Sequence, residues 1–184
     1  MHRVMLVDDE PNVLSALKRA LGGLGLSAEQ RMRLEIEAFD TPEAALARAR
    51  TTSFDLVISD YRMPSMNGVE FLDQLLQLQP TIARLILSGY ADLQGLVEAI
   101  NRVQIFRFIG KPWHDVELKA AVQQALQQRD LLRENQRLAD LVRVQQGKLT
   151  RQEMELRRLE EQYPGITHVK RADDGSILIE DDDV

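Results

Sequence analysis

The chain has 184 residues, a formal net charge of −6 and no cysteine. Without cysteine it forms no disulfide or thiolate zinc site, and its negative charge argues against a general nucleic-acid surface. No run approaches the ~18 apolar residues of a membrane span, and MHRVMLVDDE turns acidic too early for a signal peptide. We therefore expect a cytoplasmic protein that binds neither membranes nor, directly, nucleic acid.

Short apolar runs alternate with helical patterns along the chain. Strands are predicted at residues 4–7, 34–39, 54–59, 84–87 and 105–109. Helices are predicted to start near Asn12, Thr41, Ser65 to Gly68, Asp92 and Trp113. Thr41 followed by Pro42 is typical of a helix start, with a hydroxyl cap and a proline in the first turn. Because strands that alternate with helices form βαβ crossovers, we expect an α/β protein with a doubly wound, five-stranded parallel sheet.

Polar residues follow four of the predicted strands. Asp8 and Asp9 follow the first strand, Asp60 the third, Ser88 the fourth and Lys111 the fifth. In open α/β sheets, ligands bind outside the carboxyl ends of the strands. We therefore expect three carboxylates, one hydroxyl and one ammonium group to converge on one edge of the sheet.

Such a cluster has a chemistry of its own. Three neighbouring acids repel one another and raise one another's pKa values unless a cation neutralises them. Carboxylate oxygens suit Mg²⁺, which usually takes one or two of them and keeps water in its other positions. Lys111 would supply a cation to a phosphoryl group and Ser88 a hydroxyl donor. The cluster thus predicts phosphoryl transfer to a carboxylate.

Four segments carry a resemblance to a known family: VMLVDDEPNV, DLVISDYRMPSMNGVEFL, LSGYAD and FRFIGKPW. Over about residues 3–128 the chain resembles the receiver domain of bacterial two-component response regulators. The resemblance implies a flavodoxin-like sheet of order 2-1-3-4-5, an order borrowed from the family. It also implies Mg²⁺ as cofactor and a sensor histidine kinase as partner. Self-catalysed phosphorylation and dephosphorylation of Asp60 would be its only catalysis.

The same resemblance assigns roles to single residues. Asp60 matches the phosphoacceptor, and Mg²⁺ would bind Asp9, Asp60 and the main-chain carbonyl of Arg62, with Asp8 acting partly through water. Ser88 and Phe108 match the switch hydroxyl and the switch aromatic residue. Taken alone, Ser88 is also an ordinary turn residue and Phe108 an ordinary core residue.

Lys111 precedes Pro112, and it matches a family lysine that stands before a proline usually in the cis form. One segment departs from the family pattern. GGLGLSAEQRMRLEIEAF, between the first helix and the second strand, is longer than the usual connection. We expect a surface loop or a helix extension there, away from the acidic cluster.

Residues 113–162 contain no proline, and Gly147 is their only glycine. A heptad pattern predicts a coiled-coil helix continuous with the last receiver helix, and hence a homodimer. Its seam contains Leu131, Asn135, Leu138, Val142, Leu149, Leu156 and Leu159. The alternative is one long helix that folds back on its own receiver.

We expect three parts: a receiver domain at residues 1–128, a coiled-coil helix at 129–162, and a short β-hairpin with an acidic tail at 163–184. Pro164 and Gly165 are predicted to end the helix, and ITHVKR and SILIE to pair around ADDG. The predicted protein is a response regulator without a DNA-binding output domain, acting on an unidentified downstream protein. The alternatives are a phosphorelay intermediate, or a receiver fragment of a regulator with a cyclic-di-GMP phosphodiesterase output.

Overall fold

A computed structural model describes residues 1–22, 33–89, 103–145 and 151–163. Within them, the strands are β1 (His2–Val7), β2 (Leu34–Phe39), β3 (Leu56–Asp60), β4 (Ala83–Ser88) and β5 (Arg107–Gly110). The helices are α1 (Pro11–Gly22), α2 (Pro42–Ala49), α3 (Gly68–Leu78), α4 (Asp115–Gln145) and α5 (Arg151–Gln162). The strands form one parallel sheet in the order β2-β1-β3-β4-β5. The α/β fold and the strand order are thus as predicted.

Successive residues of each central strand face opposite sides of the sheet. Val4, Leu6 and Ile58 pack in a core with α1 and α4. Met5 and Val57 pack in a second core with α2 and α3. Because helices cover both faces, every residue of β3 is buried. This burial explains the unbroken apolar run that leads to Asp60.

Two helices begin with different signals. Thr41 has the extended backbone of a capping residue at the start of α2, but its side chain makes no cap hydrogen bond. The predicted hydroxyl cap is therefore wrong. Pro42 does lie in the first turn of α2, as predicted. At α3, Asn67 Oδ1 accepts hydrogen bonds from the main-chain N–H groups of Val69 and Glu70 at 3.0 Å. The Glu70 carboxylate accepts one in return from the Asn67 N–H at 3.2 Å, which completes a capping box.

The C-terminal helices pack against each other in opposite directions. Arg133 on α4 pairs with Glu161 on α5 at 2.8 Å, and Asp140 on α4 pairs with Arg157 on α5 at 3.1 Å. Arg133 and Glu161 are 28 residues apart in the sequence. On one straight helix they would be about 42 Å apart, at 1.5 Å per residue. The prediction of a single continuous helix through residue 162 is therefore wrong.

The fold-back brings α5 to the receiver. The Ser53 hydroxyl, which precedes β3, donates to the main-chain carbonyl of Glu161. Gly147 lies in the sequence between the two helices, and glycine is a poor helix former. The alternative prediction, a helical segment that folds back on its own receiver, matches these contacts better than a coiled coil does.

Several predictions fall outside the described residues. They are most of the long connection before β2, the helix predicted near Asp92, the seam residue Leu149, and the hairpin and acidic tail after Tyr163. Among the helices that are described, none is long and apolar enough to cross a bilayer.

Candidate functional site

The carboxyl ends of four strands bring the predicted cluster together. In the parallel register, Val7 lies beside Ser59, Asp60 beside Leu87, and Ser88 beside Gly110. The residues that end or follow β1, β3, β4 and β5 therefore reach one edge of the sheet at similar heights.

Lys111 joins the two aspartates at the centre of this edge. Its Nζ lies 2.8 Å from Asp8 Oδ2 and 2.5 Å from Asp60 Oδ1. The Asp8 side chain is fully buried and that of Asp60 is 8% exposed, whereas that of Lys111 is 22% exposed. Two carboxylates that have lost nearly all their water thus share one cation.

The second oxygen of each carboxylate is held by the main chain. Asp8 Oδ1 accepts a hydrogen bond from the Glu10 N–H at 3.0 Å. Asp60 Oδ2 accepts one from the Arg62 N–H at 2.8 Å. Since each carboxylate has one oxygen on Lys111 and the other on a backbone donor, both side chains are fixed in orientation.

Burial and charge act in opposite directions on these groups. Burial is the main influence on Asp8 and raises its pKa, and the neighbouring Asp60 charge raises it further, although hydrogen bonds from Lys111 and Glu10 oppose both. Burial alone would lower the pKa of Lys111, but its hydrogen bonds to Asp60 and Asp8 raise it overall. Lys111 is therefore held in its charged form at neutral pH.

Gly68 fixes the backbone on the far side of Asp60. Its N–H donates to the Tyr61 carbonyl at 2.8 Å. A Cβ at this position would come within 2.2 Å of the main-chain oxygen of Asp60. The first turn of α3 can approach Asp60 this closely only because residue 68 has no side chain. We did not predict this role from the sequence, where the signal is a glycine directly after the capping residue Asn67.

The other predicted site residues lie around this centre. Asp9 is exposed where β1 ends, and Arg62 is exposed after β3. Ser88 is 2% exposed at the end of β4, and its hydroxyl donates to the Gly89 carbonyl at 3.2 Å. Phe108 on β5 is half-buried and packs against the core of α2 and α3. The structure thus joins Asp8, Asp60 and Lys111 directly, and places Ser88 at the same edge.

The donor set is compatible with a hydrated divalent cation. The described residues contain no group of three or more His, Cys, Asp or Glu side chains arranged to hold a metal. They do bring two carboxylates, Asp8 and Asp60, to a single ammonium group. Mg²⁺ commonly takes one or two carboxylates and completes its octahedron with water. The residues therefore fit an open magnesium site and not a closed cage of protein ligands.

Comparison with known families identifies the domain. Residues 4–123 match the family described as "Response regulator receiver domain". The chain belongs to this family. The match contains the edge of the sheet where Asp8, Asp60, Ser88 and Lys111 lie.

Solved structures of similar proteins share the receiver fold. One is an uncharacterized protein from Neptuniibacter caesariensis, with 43% identity and a TM-score of 0.65, covering 73% of this chain and 93% of that one. Another is the signal receiver domain of an HD domain-containing protein from Pseudomonas fluorescens Pf-5. It shows 31% identity and a TM-score of 0.64, and covers 72% of this chain and 92% of the other.

The curated relatives are longer proteins. The hydrogenase transcriptional regulatory protein HoxA of Cupriavidus necator is 33% identical over 135 residues, which is 73% of this chain. The matched part of the chain spans only 26% of the length of that HoxA.

Proposed function

We propose that the protein is a two-component response regulator in which Asp60 accepts a phosphoryl group from a sensor histidine kinase. The observation that carries the proposal is the contact of Lys111 with both Asp8 and Asp60, at 2.8 and 2.5 Å, where the strands end. Membership of the receiver family supports the same role for Asp60. Burial on β3 and the Arg62 N–H fix the direction of its carboxylate.

The transfer is a displacement at phosphorus. A carboxylate oxygen of Asp60 forms the new O–P bond while the P–N bond of a phosphohistidine on the kinase breaks, and the electron pair stays with the departing imidazole nitrogen. Negative charge spreads over the transferred oxygens, where Lys111 supplies a positive charge and Ser88 a hydroxyl donor. Bound between Asp8, Asp9, Asp60 and the Arg62 carbonyl, Mg²⁺ would neutralise the carboxylates and the arriving phosphoryl oxygens.

We infer that Ser88 and Phe108 report the phosphorylated state. Ser88 ends β4, the strand next to that of Asp60, and its hydroxyl donates to the Gly89 carbonyl at 3.2 Å. Reorientation toward a phosphoryl oxygen would open space near β5. Phe108 is half-buried on β5, and we expect its ring to turn inward when this space opens.

The output is a change of contacts made by the C-terminal helices. Four residues of the predicted seam are exposed apolar side chains, between 48% and 66% accessible: Leu131, Leu138, Val142 and Leu156. Exposed apolar residues grouped on one helical unit are typical of interaction surfaces. We propose that they form a homodimer, or the contact with a downstream protein, and that phosphorylation of Asp60 alters this contact.

The test of the phosphoacceptor uses a small phosphodonor with the purified chain in Mg²⁺. We expect stoichiometric labelling that Asp60→Asn abolishes. Asp40→Asn, which changes an exposed aspartate at the end of β2, is the matched control and should label normally. Full labelling of the Asp60→Asn protein would refute the assignment.

The destination of the phosphoryl group on Asp60 distinguishes a switch in association from a phosphorelay. If the phosphoryl group is lost to water while the sedimentation coefficient of the protein changes, the switch is supported. Leu131→Glu combined with Leu138→Glu should then prevent the change without reducing labelling. Rapid passage of the label to a histidine phosphotransfer protein, with unchanged sedimentation, would instead establish the phosphorelay alternative.

A further inference from the structure

A cavity of about 600 Å³ lies at the end of the sheet opposite Asp60. It is lined by the residues that begin β4, those that precede β5, the middle of α4 and Glu161 of α5. Apolar walls are provided by Ile82, Phe106 and Leu132, and Arg84, Arg129 and Arg133 also line it. Its volume falls within the roughly 300–1,000 Å³ typical of ligand sites. An apolar cavity that contains arginines is suited to a ligand with both aliphatic and acidic groups.

Arg129 has an unused donor in this region. Its side chain is 9% exposed, and its Nη1 pairs with Asp55 at 2.6 Å. Its Nε is buried and has no hydrogen-bond partner within the part of the chain that the structure describes. A buried N–H without an acceptor is unfavourable, so the packing around Arg129 leaves part of its hydrogen-bonding capacity unused.

Arg84 is a buried cation with weak contacts. The residue is 6% exposed, and its guanidinium meets only the main-chain carbonyls of Gln104 and Pro80, both at 3.4 Å, among the described residues. Burial is the one influence on its pKa, which it lowers. Carboxylates near the other two arginines already have partners: Asp55 pairs with Arg129, and Glu161 with Arg133. The cavity therefore retains one positive charge that the described residues do not compensate.

The chain itself supplies a segment with the complementary chemistry. Residues 176–184 read SILIEDDDV, in which three aliphatic residues precede four acidic ones. The chain leaves α5 beside the cavity, because Glu161 in the last turn of α5 is one of its lining residues. The intervening residues 164–175, extended at ~3.3 Å each, span far more than this separation.

We propose that residues 176–184 bind in this cavity as an intramolecular ligand. Their aliphatic side chains pack on Ile82, Phe106 and Leu132, and one acidic side chain pairs with Arg84. A tethered segment has a high effective concentration, which favours it over a free carboxylate or phosphate in solution. The proposal does not depend on phosphorylation of Asp60, which lies at the other end of the sheet.

The absence of cysteine makes a direct test possible. A nitroxide on Val184→Cys of the full chain would be the only thiol-linked label. We expect paramagnetic broadening to reduce the NMR signals of Ile82, Phe106 and Leu132 at least twofold. Signals around Asp60 should keep their intensity.

Neutralising the segment tests the charge pairing without altering the core. In the labelled chain, Glu180→Gln with Asp181→Asn, Asp182→Asn and Asp183→Asn should abolish the broadening. Arg84→Gln should abolish it as well. Arg107→Gln, which removes an exposed arginine on the adjoining β5, is the matched control and should preserve it.

Three results would overturn the proposal. One is the absence of broadening in the labelled parent chain. If millimolar phosphate or acetate then shifts the Ile82 and Phe106 signals, the cavity binds a free anion in place of the segment. Another is broadening that survives the neutralised tail. The third is broadening of isotope-labelled chains by nitroxide chains mixed with them, which would place the segment on a second copy.

Discussion

Gly68 packs against the main chain of Asp60 so closely that a Cβ on residue 68 would lie 2.2 Å from the Asp60 carbonyl oxygen. The same added carbon would lie 3.1 Å from the Cα of Tyr61. Both neighbours are backbone atoms, which a rotamer change cannot move. The start of α3 and Asp60, the proposed phosphoacceptor, are therefore positioned together.

Gly68→Ala is predicted to lower the free energy of unfolding by about 1–3 kcal/mol, the usual cost of overpacking, and to slow labelling of Asp60. Urea denaturation and phosphodonor labelling measure the two effects. Gly22→Ala at the end of α1 is the control, since an added Cβ meets no atom within 4 Å. It should leave stability unchanged or raise it by about 0.4–1 kcal/mol. Equal stability of the two variants would contradict the close packing.

Lys111→Met is predicted to destabilise the fold at neutral pH, because it leaves Asp8 and Asp60 buried without their cation. The expected loss is on the order of 3 kcal/mol. The folded-state pKa of Lys111 is raised, so its stabilisation is complete below its ordinary pKa of 10.5 and is lost as pH rises through the folded value. The stability difference between the parent and the variant should thus shrink above about pH 10.5.

Urea denaturation at pH 7 and pH 11 measures this difference. Lys18→Met, at an exposed position of α1, is the control and should change stability by no more than about 0.5 kcal/mol at pH 7. A Lys111→Met protein as stable as the control would show that the aspartates do not need the ammonium group.

Asp8→Asn is predicted to stabilise the protein while impairing labelling of Asp60. The pKa of Asp8 is raised in the folded state by burial, so the folded protein binds more protons than the unfolded chain as pH rises above 3.8. Ionised Asp8 consequently costs stability, and this cost is present at pH 7 and absent below pH 3.8. The asparagine removes the cost, but also removes a predicted magnesium ligand.

Urea denaturation at pH 3 and pH 7 measures how the stability gained from Asp8→Asn changes with pH. The gain from Asp8→Asn should be larger at pH 7 than at pH 3. Asp40→Asn should show no such trend, and a gain of equal size at both pH values would argue against burial as the cause.

Asp140→Asn is predicted to release α5 from α4. Asp140 is 9% exposed, and its Oδ1 accepts from Arg157 at 3.1 Å and from Arg143 at 3.3 Å. Loss of its charge should weaken the local stability of α5 by about 1 kcal/mol, seen as faster amide hydrogen exchange. Glu134→Gln is the control, since Glu134 pairs with Arg137 within α4. If exchange in α5 responds equally to both changes, Asp140 does not hold the hairpin.

Much of the receiver was predictable because its signals are local. The apolar run before Asp60 indicated a strand with both faces covered, and β3 is buried throughout. Since parallel strands expose their carboxyl ends at one edge, the meeting of Asp8, Asp60 and Lys111 followed from topology. Their exact partners did not follow, because the sequence cannot tell which oxygen a lysine contacts.

Predictions that depended on longer-range packing were less successful. The heptad pattern after Trp113 indicated helix correctly, but it could not distinguish a partner chain from a second helix of the same chain. The pairs of Arg133 with Glu161 and of Asp140 with Arg157 join residues from distant turns. Gly68 was missed for a similar reason, since its neighbour is the backbone of another element.

The return of α5 has a mechanical consequence. The first turn of α4 follows Lys111 closely in the sequence. Near the end of α5, the main-chain carbonyl of Glu161 accepts a hydrogen bond from the Ser53 hydroxyl of the receiver. The start of α4 and the end of α5 are thus both attached to the receiver domain. A small displacement at Lys111 would bend α4 and α5 and strain the ion pair of Arg133 with Glu161. A helix attached to the domain at one end only would rotate without such strain. A partner bound to α4 and α5 would then respond to strain within the two helices and not to their position.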